Sequence, residues 1–193
     1  MGHAQLVEQK MTVEEYFELE KRSEIRHEYY NGEVYAMAGT TLNHNRIVGK
    51  VRNLLGSHFL SKRCDVFSEN VKVEVSSVYY PYPDVVVTCA PSDISGTYII
   101  RHPTVLVEVM SKTSEHCDSI FKLKQYKIIP SLQYYLLVSQ YDYNVSLYSR
   151  LERTDLWTYH TFSNSEDVVR LEAFDFEMSL QSIYENIEFV PEE

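Results

Sequence analysis

Apolar positions along the chain keep two rhythms, one helical and one alternating or continuous as in strands. Tyr16, Phe17 and Leu19 follow Thr12 and Glu15, whose spacing is that of a capping box, and predict a short helix ending near residues 21–23. Residues 25–30 and 33–38 flank Asn31-Gly32, the strongest short-range hairpin signal. Residues 41–60 carry Leu42, Ile47, Val51, Leu54, Leu55 and Phe59 at helical spacing. Two strands are expected at 64–67 and 71–75. They precede Val85-Val86-Val87, a continuous β-branched run that suits a strand covered on both faces. Residues 91–102 read as a polar loop and 104–110 as a second buried strand. Ser114 is placed to cap a helix from 115 to about 129, stopped by Pro130. A third buried strand is expected at 134–139. Short meander strands follow at 144–148, 156–162 and 168–171, then a terminal helix over 179–187. This order predicts an α/β (α+β) fold: a mixed sheet flanked by helices, with an N-terminal β-hairpin and short C-terminal strands. The 193 residues show no linker, repeat or low-complexity tract, so 1–193 is expected to be one domain, with its core over about 12–187.

Composition narrows the setting. The 16 tyrosines suit half-buried strand surfaces, where an aromatic body and a polar tip both fit. Cys64, Cys89 and Cys117 are odd in number and lack metal-finger spacing, so neither a disulfide nor a zinc site is expected and a reducing compartment suits them. No apolar run is long enough to span a bilayer, and residues 1–10 lack a signal-peptide core, which predicts a cytoplasmic protein without a membrane partner. A formal net charge of −10 argues against tight nonspecific binding to nucleic acid. The charge is uneven, however. Residues 34–64 hold Arg46, Lys50, Arg52, Lys62 and Arg63 and no acid, whereas beyond Phe162 nine acids face only Arg170. One face that tolerates phosphate, or simply two solvated faces, would both fit.

Three residues carry the candidate chemistry. Asp84 follows Pro83 at the start of one apolar strand, and Glu108 lies inside the next. A carboxylate in such a run is costly to desolvate unless it is paired or binds a cation. Two of them at neighbouring strand ends make a hard-oxygen site of the kind Mg²⁺ accepts. Lys122, on the following helix, can reach the same end to orient or deprotonate a water or offset charge on a phosphate. Each has a structural alternative: Asp84 as a strand-start cap, Glu108 as a buried partner of Arg101 or Lys122, and Asp118 with Lys122 as an exposed i,i+4 pair.

Pro83-Asp84 followed by Glu108 in a second strand resembles the PD-(D/E)XK nuclease superfamily. The ordered series Thr12-Val13-Glu14-Glu15-Tyr16, His27 to Glu33, Asn43-His44-Asn45, Tyr82 to Val87, Glu108-Val109-Met110-Ser111, Asp118, Lys122, Tyr126 and Pro130 to Tyr135 more closely resembles the Uma-two family of bacterial restriction-endonuclease-like proteins. The resemblance covers about residues 11–185. It implies a restriction-endonuclease-like fold and a metal-dependent endonuclease acting on DNA, with Asp84, Glu108 and Lys122 catalytic. Asp84, Glu108 and the Val109 carbonyl would hold Mg²⁺, or Mn²⁺, and Glu28 and His44 would be accessory. Two departures stand out: the superfamily lysine two residues after the acid is Met110 here, its role matched by Lys122, and Lys112 stands where relatives carry proline. Duplex DNA cut on both strands would suit a homodimer. The alternatives are a catalytically inactive binding module and cleavage of RNA.

Overall fold

The computed structural model describes residues 10–37, 39–110, 117–152 and 154–189, and the side chains of 117–119 are not among those described. Helix α1, Val13–Arg22, opens on the capping box: Thr12 Oγ1 accepts from Glu15 N at 3.2 Å, and Glu15 Oε2 accepts from Thr12 N at 2.8 Å. Strands β1, His27–Tyr30, and β2, Glu33–Ala36, form the hairpin. Asn31 (φ 47°) and Gly32 (φ 91°) supply the two left-handed positions that a tight hairpin turn needs. Helix α2, Leu42–Phe59, follows, capped by Thr41.

The central sheet is built from β3, Asp65–Ser68, and a set of later strands. Between them come β4, Lys72–Val73, and β5, Tyr79–Tyr80, the latter pairing with β1 to make a small three-stranded sheet. β6, Val85–Thr88, returns to the central sheet. Residues 91–102 are not a plain loop, as the sequence suggested. Pro91–Ile94 forms a helical turn, α3, and Ile99–Ile100 forms β7, which pairs parallel to β4. The turn is organised by Asp93, a buried acid that accepts from Arg101 N, His102 N and Thr88 Oγ1, contacts invisible in local periodicity. β8, Pro103–Met110, is the long central strand.

Helix α4, Cys117–Tyr126, carries the chain across to β9, Tyr134–Ser139, parallel to β8; the expected cap Ser114 lies outside the described residues, and the helix stops short of Ile129. β10, Val145–Arg150, and β11, Trp157–Phe162, complete the order β11-β10-β9-β8-β6-β3, antiparallel except for β8–β9. β12, Val168–Leu171, leaves this meander and pairs with β13, Phe176–Ser179, a strand absent from the sequence reading. Ser179 then caps α5, Leu180–Tyr184, which ends short of residue 187.

One face of the sheet packs Ile47, Val51, Leu55 and Phe59 of α2 together with the β12–β13 hairpin and α5; the other packs Tyr126 of α4 with Tyr135 and Leu106. The β-branched runs are therefore covered on both sides, as their lack of alternation predicted. Cys64 and Cys89 are joined by a disulfide, contrary to the expectation from cysteine count. They flank the β3–β6 pairing, whose Asp65↔Thr88 register brings them opposite one another although 25 residues apart in sequence. Among the described residues no helix is long and apolar enough to cross a membrane.

Candidate active site

The site forms where β6 and β8 emerge side by side. Val85 pairs with Val107, and one step further along that register Asp84 meets Glu108. The Asp84 Oδ2 atom accepts from Val109 N at 2.7 Å, which fixes the carboxylate at the strand end. The β6–β8 ladder ends at the Val85–Val107 pair, and beyond it the Val109 N–H is taken up by this side chain. Both acids are buried.

Helix α4 brings Lys122 onto this pair. Its Nζ lies 3.0 Å from Glu108 Oε1 and 3.6 Å from Glu28 Oε1 on β1. One turn later, Tyr126 donates its hydroxyl to the same Glu108 Oε1 at 2.8 Å. Arg101, an alternative partner considered for Glu108, instead pairs with Glu74 at 2.8 Å. Glu28 also accepts from Tyr82 N at 3.2 Å, tying the small sheet to the Tyr82-Pro83-Asp84 segment. Behind it, Glu20 accepts from His27 N and the Tyr82 hydroxyl, with Lys72 Nζ at 3.4 Å, so the same segment is anchored from its buried side.

His44 enters from the first turn of α2. Its Nε2 is 3.3 Å from Asp84 Oδ2, yet neither ring nitrogen has a partner in hydrogen-bonding geometry among the described residues, and the side chain is only 4% exposed. An unsatisfied imidazole in such a place is costly unless something else binds it. All five residues singled out from the sequence, Asp84, Glu108, Lys122, Glu28 and His44, thus converge on one point.

Burial dominates the electrostatics. Desolvation pushes Glu108 up to about 7, reinforced by Asp84 and Glu28 and opposed by Lys122. Burial works against charge on Lys122, but Glu108 and Glu28 outweigh it and hold the ammonium well above the usual lysine range. Lys122 is therefore a fixed cation and not a base. Burial likewise opposes protonation of His44, and Asp84 outweighs it, raising the imidazole above its ordinary value.

The sequence reading gave no role to Gln140, Tyr126 or Glu69. Gln140, at the end of β9, accepts from the Thr41 hydroxyl and donates Nε2 to Met110 O at 3.1 Å, locking the start of α2 to the end of β8. Tyr126 stands four residues after Lys122, so helical spacing alone marks it as sharing that face. Glu69, whose N–H donates to Asp84 O at 3.1 Å, and Asn70 both hold positive φ (49° and 58°) beside the site. No local signal marks Gln140 or Glu69.

Among the described residues no three His, Cys, Asp or Glu side chains are arranged to hold a metal ion by themselves. The donor set still suits a hard cation of the Mg²⁺ type, which needs one or two carboxylates and takes the rest of its shell from water and phosphate. Asp84 and Glu108 each commit one oxygen, Oδ2 and Oε1, to the bonds above.

A mixed sheet with a parallel central pair joined by a helical crossover, and with acids at the ends of its middle strands, is the restriction-endonuclease-like class of fold. A crystal structure described as a putative nuclease belonging to DUF820 from Anabaena variabilis superposes with a TM-score of 0.73, covering 90% of this chain and 97% of that one at 16% identity. The family model Uma2, described as "Putative restriction endonuclease", matches residues 13–181, and the chain belongs to that family. Two Synechocystis proteins, both described as uncharacterized, are similar to it. One, slr1290, is 33% identical, covering 93% of this chain and 94% of its own length; the other, sll1609, is 28% identical, covering 73% and 81%.

Proposed function

We propose that this protein is a metal-dependent endonuclease that hydrolyses phosphodiester bonds in DNA. The observation that carries the reading is the meeting of Asp84, Glu108 and the Lys122 ammonium at one buried point, with the His44 imidazole 3.3 Å from Asp84 and without a hydrogen bond among the described residues. Asp84, Glu108 and the Val109 carbonyl would hold Mg²⁺ or Mn²⁺, which when bound supplies Lewis-acid polarisation of a phosphate oxygen and a more acidic water. Lys122 offsets the charge that builds on the phosphate as water adds to phosphorus and the bond to the leaving oxygen breaks. His44 would donate to a phosphate oxygen. Tyr126 and Gln140 orient these groups without touching substrate.

Purified protein with Mg²⁺ or Mn²⁺ is expected to cut supercoiled, linear or single-stranded DNA, and Asp84→Asn or Lys122→Met to reduce the rate at least ~100-fold, the scale of losing one preorganised electrostatic contact. No cleavage of any of these substrates overturns the proposal. One observation favours a second reading, a non-catalytic module: Lys122 already neutralises Glu108 without a metal. Calorimetry separates the two, since the module takes up no divalent ion and the nuclease binds one through Asp84.

A further inference from the structure

β11 is the outermost strand of the central sheet and pairs, among the described strands, with β10 alone. Its outward row of N–H and C=O groups is an open edge, which proteins ordinarily blunt with charge, proline or a bulge. Trp157–Phe162 contains no proline and no Lys, Arg, Asp or Glu, and its six-residue register with β10 runs without a shift.

A second observation points the same way. Tyr135, Tyr148 and Tyr159 are direct cross-strand neighbours on β9, β10 and β11. Their rings form a ladder, with centroids 6.0 Å apart at 23° and then 4.8 Å apart at 34°. The ladder begins at fully buried Tyr135 and ends at Tyr159, which is 55% exposed, with Leu156 exposed nearby. Among the described residues no further strand continues the ladder across the edge.

We propose that β11 is the interface with a second copy of this chain, paired antiparallel about a two-fold axis at Tyr159. A two-fold perpendicular to the sheet preserves its faces, so each residue must meet one from its own face. Centring on Tyr159 satisfies this: Tyr159 meets its counterpart, Thr158 meets the opposite His160, and Trp157 meets the opposite Thr161. The ladder of hydrogen bonds and the ladder of rings both continue across the axis into one twelve-stranded sheet. The strand is free of formal charge, which suits contact between two copies that each carry −10, and screening by salt strengthens the association.

This proposal does not rest on the nuclease reading, and its test does not use cleavage. Sedimentation velocity of the full chain at tens of micromolar is expected to give twice the 22.6 kDa monomer mass, and Tyr159→Lys to give the monomer with an unchanged circular dichroism spectrum. Tyr159→Cys is expected to form a covalent dimer under mild oxidation, whereas Tyr98→Cys, at a tyrosine 83% exposed elsewhere, does not. A monomeric wild type overturns the proposal, and if that monomer's Tyr159 is protected by oligothymidine the edge belongs to nucleobases instead. A dimer that persists in Tyr159→Lys, with no cross-link in Tyr159→Cys, also overturns it.

Discussion

Glu108 shows how one side chain reports on its surroundings. Held up to about 7 from an ordinary 4.5, chiefly by burial, it binds its proton more tightly in the folded metal-free protein than in the unfolded chain. Its contribution to stability is therefore fully present below about 4.5 and is lost as pH rises through about 7. Thermal unfolding of the metal-free protein is expected to show the wild type losing stability relative to Glu108→Gln across that window, and parallel pH profiles would contradict it. A divalent cation competes with the same proton, so under the nuclease proposal its affinity rises with pH up to about 7 and then levels. Asp84 and Glu108 were legible in the sequence because charge beside β-branched residues is unusual. His44 was recognisable only through a resemblance, since nothing local distinguishes it from a packing histidine.

At the scale of elements, the site depends on where α2 begins and α4 crosses relative to the start of β6 and the end of β8. Gln140 sets one of these distances by bonding both the Thr41 cap of α2 and the Met110 carbonyl of β8. Gln140→Leu leaves the buried Met110 carbonyl unsatisfied and removes the acceptor of the Thr41 hydroxyl, at a cost of about 1–3 kcal/mol in denaturant unfolding. Under the nuclease proposal its turnover falls with little change in KM, because His44 shifts while substrate contacts elsewhere remain. A KM effect with normal turnover would argue against such positioning. Helix α1, the hairpin and β8 were legible because capping, turn and burial signals are local. β7 and β13 were not: the two-residue β7 is held by the sequence-distant β4, and β12 turns back to pair with β13 instead of extending the meander.

For the molecule as a whole, the Cys64–Cys89 link closes a loop of 25 residues across β3 and β6. Chain-entropy reasoning gives such a loop about 3 kcal/mol of stabilisation. A reductant, or Cys64→Ser, is expected to lower the denaturation midpoint by a corresponding amount, and equal midpoints with and without reductant would show the link to be energetically silent. The order of helices and strands, the buried character of β6 and β8, and the acid–acid–lysine series were readable from the residues, because capping, periodicity and the cost of burying charge act over short stretches of chain. Which side chains meet was not readable in that way. The approach of His44 to Asp84, the bridge through Gln140 and the cysteine pair all arise when strands far apart in sequence take up one register. Register depends on the fit of the whole sheet, to which no short segment has access.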